Sequence, residues 1–178
     1  MKKTTVLILF FLLMALQAAA IRPALAEERQ AAEYDLKAAF ILNFARFIDS
    51  PADNDTSHLI CYAGNEQVAV SLAALRGKMV RNRPIEIKLC TTESQVKAAD
   101  LLFIPTSEQQ HADELLAMVK GKPVLTIGEY PNFRGQGGMI QLYVDQEQII
   151  FNVNLLAVRE SGVRVHPQLL KLAHDVQE

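Results

Sequence analysis

The 178-residue chain has no tryptophan, only two cysteines and four histidines, and little excess charge, its formal net charge being −2 at neutral pH. Each scarcity excludes something. Without a basic excess or aromatics interleaved among cations, nothing draws the chain to nucleic-acid phosphates, so no nucleic acid is expected as a partner. The cysteines and histidines are too few and too scattered for a metal cluster; His166 and His174, the nearest histidine pair, are eight apart. There is no Gly-x-Ser-x-Gly elbow and no phosphate-binding loop ending in Lys-Ser/Thr. The first strand-to-helix turn, Ala63-Gly64-Asn65-Glu66, carries one glycine and an acid that repels a pyrophosphate, so the dinucleotide fingerprint is missing. Glycines cluster instead at Gly135-Gln136-Gly137-Gly138, ahead of a strand, and read as a turn needing positive φ.

Catalytic groups are scarce for the same reason. His58 opens a strand, and His111 and His174 fall on helix surfaces, none with a positioned partner that a general base needs. Asp113 and Glu114 are neighbours on a helix and point apart, which suits a solvated face better than an acid/base pair. The expectation is a chain that is not an enzyme and binds no cofactor or metal.

What is present begins at the N-terminus. Lys2-Lys3, an apolar run from Val6 to about Leu16, and Ala24-Leu25-Ala26 before Glu27 predict a secretory signal peptide over residues 1–26. The run is short for a membrane span, although an uncleaved anchor is the alternative. No cysteine stands between the run and Glu27 to take a lipid. Cleavage removes Lys2, Lys3 and Arg22 and no acid, leaving residues 27–178 as a single acidic domain. A bacterial periplasm suits this arrangement. In an oxidising compartment the even pair Cys61 and Cys90 reads first as a disulfide. It would leave no thiolate nucleophile. The alternative is two buried thiols on separate strands.

Half the residues are hydrophobic, enough for a real core. After a frayed start over Glu27–Ala32, Leu36, Ala39, Phe40, Phe44 and Phe47 recur at helical spacing over Glu33–Ile48, and Pro51 with the polar run Asp53–Ser57 ends that helix. Strands are predicted at His58–Ala63, Pro84–Cys90, Leu101–Ile104 and Pro123–Ile127. Helices at Gln67–Leu75, Thr92–Ala98 and Ser107–Lys120 alternate with them. This order implies parallel strands joined by right-handed crossovers. Met139–Val144 and Gln148–Val153 form a hairpin around Asp145-Gln146-Glu147, with helices after it at Asn154–Glu160 and from Pro167 through Val176. The fold class is α/β: a three-layer sandwich with a Rossmann-like, mostly parallel sheet and an antiparallel hairpin at one edge.

These segments form a recognisable series. Tyr34-x-Leu36-Lys37-Ala38-Ala39-Phe40-x-x-Asn43-Phe44-Ala45-x-Phe47 resembles the opening helix of the YfiR-like periplasmic regulators. Ile60-Cys61 ahead of Gly64, Leu102-Phe103-Ile104, Val124-Leu125-Thr126-Ile127, Gly137-Gly138-Met139-Ile140, Phe151-x-x-Asn154-Leu155 and Gln168-Leu169-Leu170-Lys171-Leu172-Ala173 continue the likeness to Val176. The resemblance implies a regulator that binds the periplasmic sensor domain of an inner-membrane diguanylate cyclase (YfiN-like) and represses cyclic di-GMP synthesis. An outer-membrane OmpA-like lipoprotein (YfiB-like) relieves the repression, and a homodimer stays open. The family offers no catalytic residues to carry over. Asp49-Ser50-Pro51 stands where many members carry Trp-Pro, and Ala98-Ala99-Asp100 where many carry a cysteine. Cys61 therefore matches the family, whereas Cys90 does not occupy the usual partner position.

The C-terminal segment sets Arg159, Arg164 and Lys171 beside Leu155, Leu169, Leu170 and Leu172, with Asn154 at its start. Arg159, Arg164, Lys171 and Asn154 are the expected partner-binding residues, because arginine forks pair carboxylates in two contacts and anchor interfaces. Against this stands the reading in which the leucines are core and the cations solvate helix ends. The opening helix around Lys37 and Arg46 is the second choice. A small-ligand-binding periplasmic sensor without catalysis is the alternative function; convergent polar groups around a pocket would favour it, and an exposed apolar patch would favour the regulator.

Overall fold

The computed structural model describes residues 29–49, 56–64 and 66–178. The expected signal peptide and most of the polar run after Pro51 lie outside them. The chain forms two compact units, Met1–Tyr34 and Asp35–Glu178. Residues 29–47 are helical (α1), so Arg29–Ala32 do not fray as expected. Residues from Asp35 onward belong to the second unit.

Strands form where apolar residues run unbroken. All four residues of β5 (Leu101–Ile104) are buried. A sheet covered on both faces demands such a run. Beside β5 lie β2 (His58–Tyr62) and β6 (Leu125–Gly128), both parallel to it, and β4 (Arg83–Leu89) lies parallel beyond β2. Helices α2 (Glu66–Ala73), α3 (Glu93–Lys97) and α4 (Ala112–Val119) make the crossovers. On one face, Val96 of α3 and Leu116 and Val119 of α4 pack with Leu59, Cys61, Leu102 and Ile104. On the other, Phe44 of α1 meets Phe151 with ring centroids 5.0 Å apart. Helices on both faces complete the three-layer α/β sandwich.

Four elements differ from expectation. The hairpin of β7 (Ile140–Asp145) and β8 (Gln148–Asn154) lies one strand inside the sheet, because β10 (Asp175–Gln177) lies parallel outside β8. The last helix, α6 (Pro167–Leu172), therefore stops short of Val176: Ala173 turns extended at ψ 141°, and Val176 pairs with Val153. His174 thus leaves the helix, and its ring stands 6.4 Å from that of Tyr143. The expected helix from Ser107 opens as a 3-10 turn, Thr106–His111, with no buried residue to give it a core face. At the other edge, β3 (Met79–Val80) pairs antiparallel with β4 through a turn at Arg81-Asn82, both at positive φ. Two more short strands, β1 (Ile48–Asp49) and β9 (Arg164–Val165), pair apart from the main sheet, with helix α5 (Leu155–Ser161) leading into β9.

Candidate partner-binding surface

The parallel pairing of β2 and β4 brings the two cysteines together. Tyr62 stands opposite Leu89, and the Cys90 N–H donates to the Tyr62 carbonyl at 3.1 Å. Cys61 and Cys90 form a disulfide with Cα atoms 5.5 Å apart. Both sulfurs sit in the core against Val96, Ala99 and Leu102. The bond therefore ties β2 to the end of β4 beneath the α3 layer.

The expected partner-binding residues divide. Asn154 turns inward: its side-chain oxygen caps α5 by accepting the Ala157 N–H at 3.0 Å, and its amide donates to the Arg134 carbonyl at 3.2 Å. It positions α5 and is almost wholly buried. Arg159 is exposed in the last turn of α5, which Gly162 closes in a left-handed cap at φ 82°. Arg164 is exposed in β9 directly opposite Asp49 of β1. Lys171 is exposed on a separate element, in the last turn of α6. Of the neighbouring leucines, Leu169 is core, while Leu172 and Leu156 are 62% and 54% exposed.

The β1–β9 pairing joins the C-terminal segment to the end of the opening helix, 115 residues away in pairing partners Asp49 and Arg164. Arg81, projected by the β3–β4 turn, pairs with Asp49 and donates to the Arg46 carbonyl at 3.4 Å. Arg81 is thus the cation paired with the exposed Asp49 carboxylate, Arg164 stands opposite Asp49 across the strand pair, and the Arg46 side chain donates to Asn43 Oδ1 at 3.3 Å. His166 ties the same region down, its N–H donating to the Phe47 carbonyl at 2.8 Å. Sequence reasoning reached Arg164 and, as second choice, Arg46. It missed Arg81 and Asp49, whose only local signal is an Arg-Asn pair suited to a tight turn between strands. Lys37, named with Arg46, is buried against Glu129 at 2.6 Å and is no part of this surface.

The topological switch of the parallel sheet, where open α/β sheets take small ligands, lies between the C-terminal ends of β2 and β5. Here the loops after β2 and β5 approach each other closely. A β-carbon on Gly64 would come 2.6 Å from Pro105 and 3.2 Å from the Ser107 hydroxyl. The nearby Glu129 carboxylate takes Lys37 and the Thr106 N–H at 2.9 Å. Among the described residues no group of three His, Cys, Asp or Glu side chains could hold a metal, and no helix is long and apolar enough to cross a membrane.

His58, expected only to open a strand, is buried and partnered. Its Nδ1 accepts from Arg83 at 3.0 Å and lies 4.0 Å from Asp100. Burial first, then the Arg83 charge, push its basicity below the ordinary histidine value, against a smaller opposing pull from Asp100.

A solved structure of a conserved domain protein from Vibrio cholerae O1 biovar El Tor strain N16961 is similar to this chain over 67% of its length, with 11% identity and a TM-score of 0.46. The chain spans 55% of that protein. The sequence model described as YfiR/HmsC-like matches residues 34–174, nearly all of the chain beyond the N-terminal segment, and the chain belongs to that family.

Proposed function

We propose that this protein is a YfiR counterpart: a secreted periplasmic regulator that holds an inner-membrane diguanylate cyclase inactive by binding its periplasmic sensor domain. An OmpA-like lipoprotein of the outer membrane draws it away and restores cyclic di-GMP synthesis. The family match over residues 34–174 carries this reading. Two features support it. The buried disulfide suits an oxidising compartment. At the ligand crevice of the sheet Pro105 and Ser107 close in on Gly64, which favours a protein-binding role over a small-ligand sensor. Arg81 on Asp49, Arg164 opposite it, and the exposed Arg46 and Arg159 form the docking surface in this reading.

The test is genetic and biochemical together. Deleting the gene should raise cyclic di-GMP, and the full-length chain should restore the low level. A chain lacking residues 1–26 should not restore it, because it cannot reach its target. Tagged protein purified from membranes should carry the cyclase. Rescue by the leaderless form, or an unchanged nucleotide level on deletion, would overturn the reading.

A further inference from the structure

Three ionisable side chains meet at the N-terminal ends of adjacent strands. Arg83 opens β4, His58 opens β2, and Asp100 immediately precedes β5. Arg83 donates to His58 Nδ1 at 3.0 Å and stands 3.9 Å from Asp100 Oδ1. Since Nδ1 accepts, the neutral ring carries its proton on Nε2. Among the described residues, the groups facing the ring are the Arg83 guanidinium from β4, the Asp100 carboxylate beside β5, and the uncharged Val80 carbonyl from β3. Glu86 is bonded to Ser57 and paired with Lys88. It lies on the opposite face of β4 from Ile85, the strand partner of His58.

The three members differ in freedom. Asp100 is fixed: Oδ2 accepts the Leu59 N–H at 2.9 Å, and its backbone bonds Leu59 and Leu125. The side chains of His58 and Asp100 are 3% and 2% exposed, whereas that of Arg83 reaches solvent at 19%. Arg83 also belongs to the hairpin, standing opposite Val80 across the turn that projects Arg81 to Asp49.

We propose that protonation of His58 expels Arg83 from this cluster and loosens the Val80–Arg83 hairpin, making the hairpin a proton-operated switch. A proton on Nδ1 would face a guanidinium 3.0 Å away in a buried site, where like charges repel strongly. Asp100, 4.0 Å from Nδ1, is within a small rotation of the new N–H. The carboxylate thus changes partner from Arg83 to His58. The buried charge stays balanced, because one cation replaces the other. The exchange takes place in mild acid, and its readout at the hairpin does not depend on any partner. Only its consequence for docking, through the displacement of Arg81, rests on the proposed surface.

A nuclear magnetic resonance titration of the whole secreted chain tests it. The His58 ring and the backbone amides of Val80, Arg81 and Asn82 should titrate together, with one midpoint below about 6.5. In His58→Gln those amides should stay flat over the same range. In Arg83→Gln, which removes the repelling cation, the proton affinity of His58 should rise at least threefold. The proposal is overturned if the hairpin amides stay flat while His58 titrates, or if they titrate unchanged in His58→Gln. A proton affinity unmoved in Arg83→Gln overturns it too, and that arm stands alone should His58→Gln not fold.

Discussion

Phe133 is buried between two glycines, and its ring lies against both. A β-carbon on Gly128 or Gly138 would fall inside the contact distance of the ring. The glycine cluster is therefore mixed in purpose. Gly137, at φ 95°, serves the turn that the sequence suggests, while Gly138 leaves space for an aromatic ring. Gly138→Ala should lower the unfolding free energy by about 1–3 kcal/mol through overpacking. Gly137→Ala should cost roughly 1–2 kcal/mol by backbone strain alone. Urea unfolding measures both costs, and the aromatic proton spectrum separates their causes, because only Gly138→Ala should also perturb the ring signals of Phe133 and of Tyr130, 5.3 Å away. The buried His58 adds a pH dependence whose sign is fixed. Its folded-state proton affinity is lowered. The unfolded chain then binds a proton that the folded chain refuses. Its contribution is complete above the ordinary value of about 6.5 and declines as pH falls through it. Thermal midpoints should drop from pH 7 to pH 5, and the drop should be shallower in His58→Gln. An equal drop in both proteins would assign the effect to other groups.

Elements are legible where one local pattern suffices and illegible where a distant partner decides. The runs at Leu59–Ala63 and Leu101–Ile104 give strands, and Thr92 begins a short helix with a capping box closed by Gln95. The expected C-terminal helix runs too far because Leu169, Leu170 and Leu172 carry its period up to Ala173. The residues beyond Ala173 take their conformation from β8: Asp175 pairs with Asn152 and is held by Arg134 at 2.6 Å. No local signal reveals a strand whose neighbour lies over twenty residues earlier. The cysteines are the most legible pair, since consecutive parallel strands tend to be sheet neighbours. Their bond closes a loop of sequence separation 29. Replacing both by serine should lower stability by about 3–4 kcal/mol on the loop-entropy account. Because both sulfurs are buried, a mild reductant should act on the native protein only as fast as the sheet opens. Thiol-trapping mass spectrometry in and out of denaturant measures this. Equal reduction rates in the two conditions would mean that the sulfurs are accessible in the folded state.

At the scale of the whole molecule, the proposed docking surface is where the sequence is least informative. Charge and exposure can be read at Arg159 and Arg164, but their neighbours come from helix α1 and the β3–β4 turn, which only the folded chain assembles. Arg81 on Asp49, with Arg164 opposite it and Arg46 at the end of α1, gathers positive charge on an otherwise acidic domain, and such a region suits a partner that brings carboxylates of its own. Arg159 and Arg164 are both exposed, and neither side chain caps a helix or fills the core. Changing each to Ala should therefore leave the thermal midpoint nearly unchanged while weakening cyclase or lipoprotein binding by more than about 1 kcal/mol. Arg46→Ala should behave in the same way, since Arg81 donates to its backbone carbonyl, which alanine keeps, and its own side chain makes only an exposed bond to Asn43. Lys171→Ala separates a local site from a general electrostatic one, because Lys171 sits on α6. A loss at the arginines alone marks the Asp49 cluster as the interface. Equal losses at all four, vanishing together as salt rises, would mean diffuse charge attraction without a defined site. Unchanged affinity for both partners in Arg46→Ala, Arg159→Ala and Arg164→Ala, with normal folding, would move the interface off this face altogether.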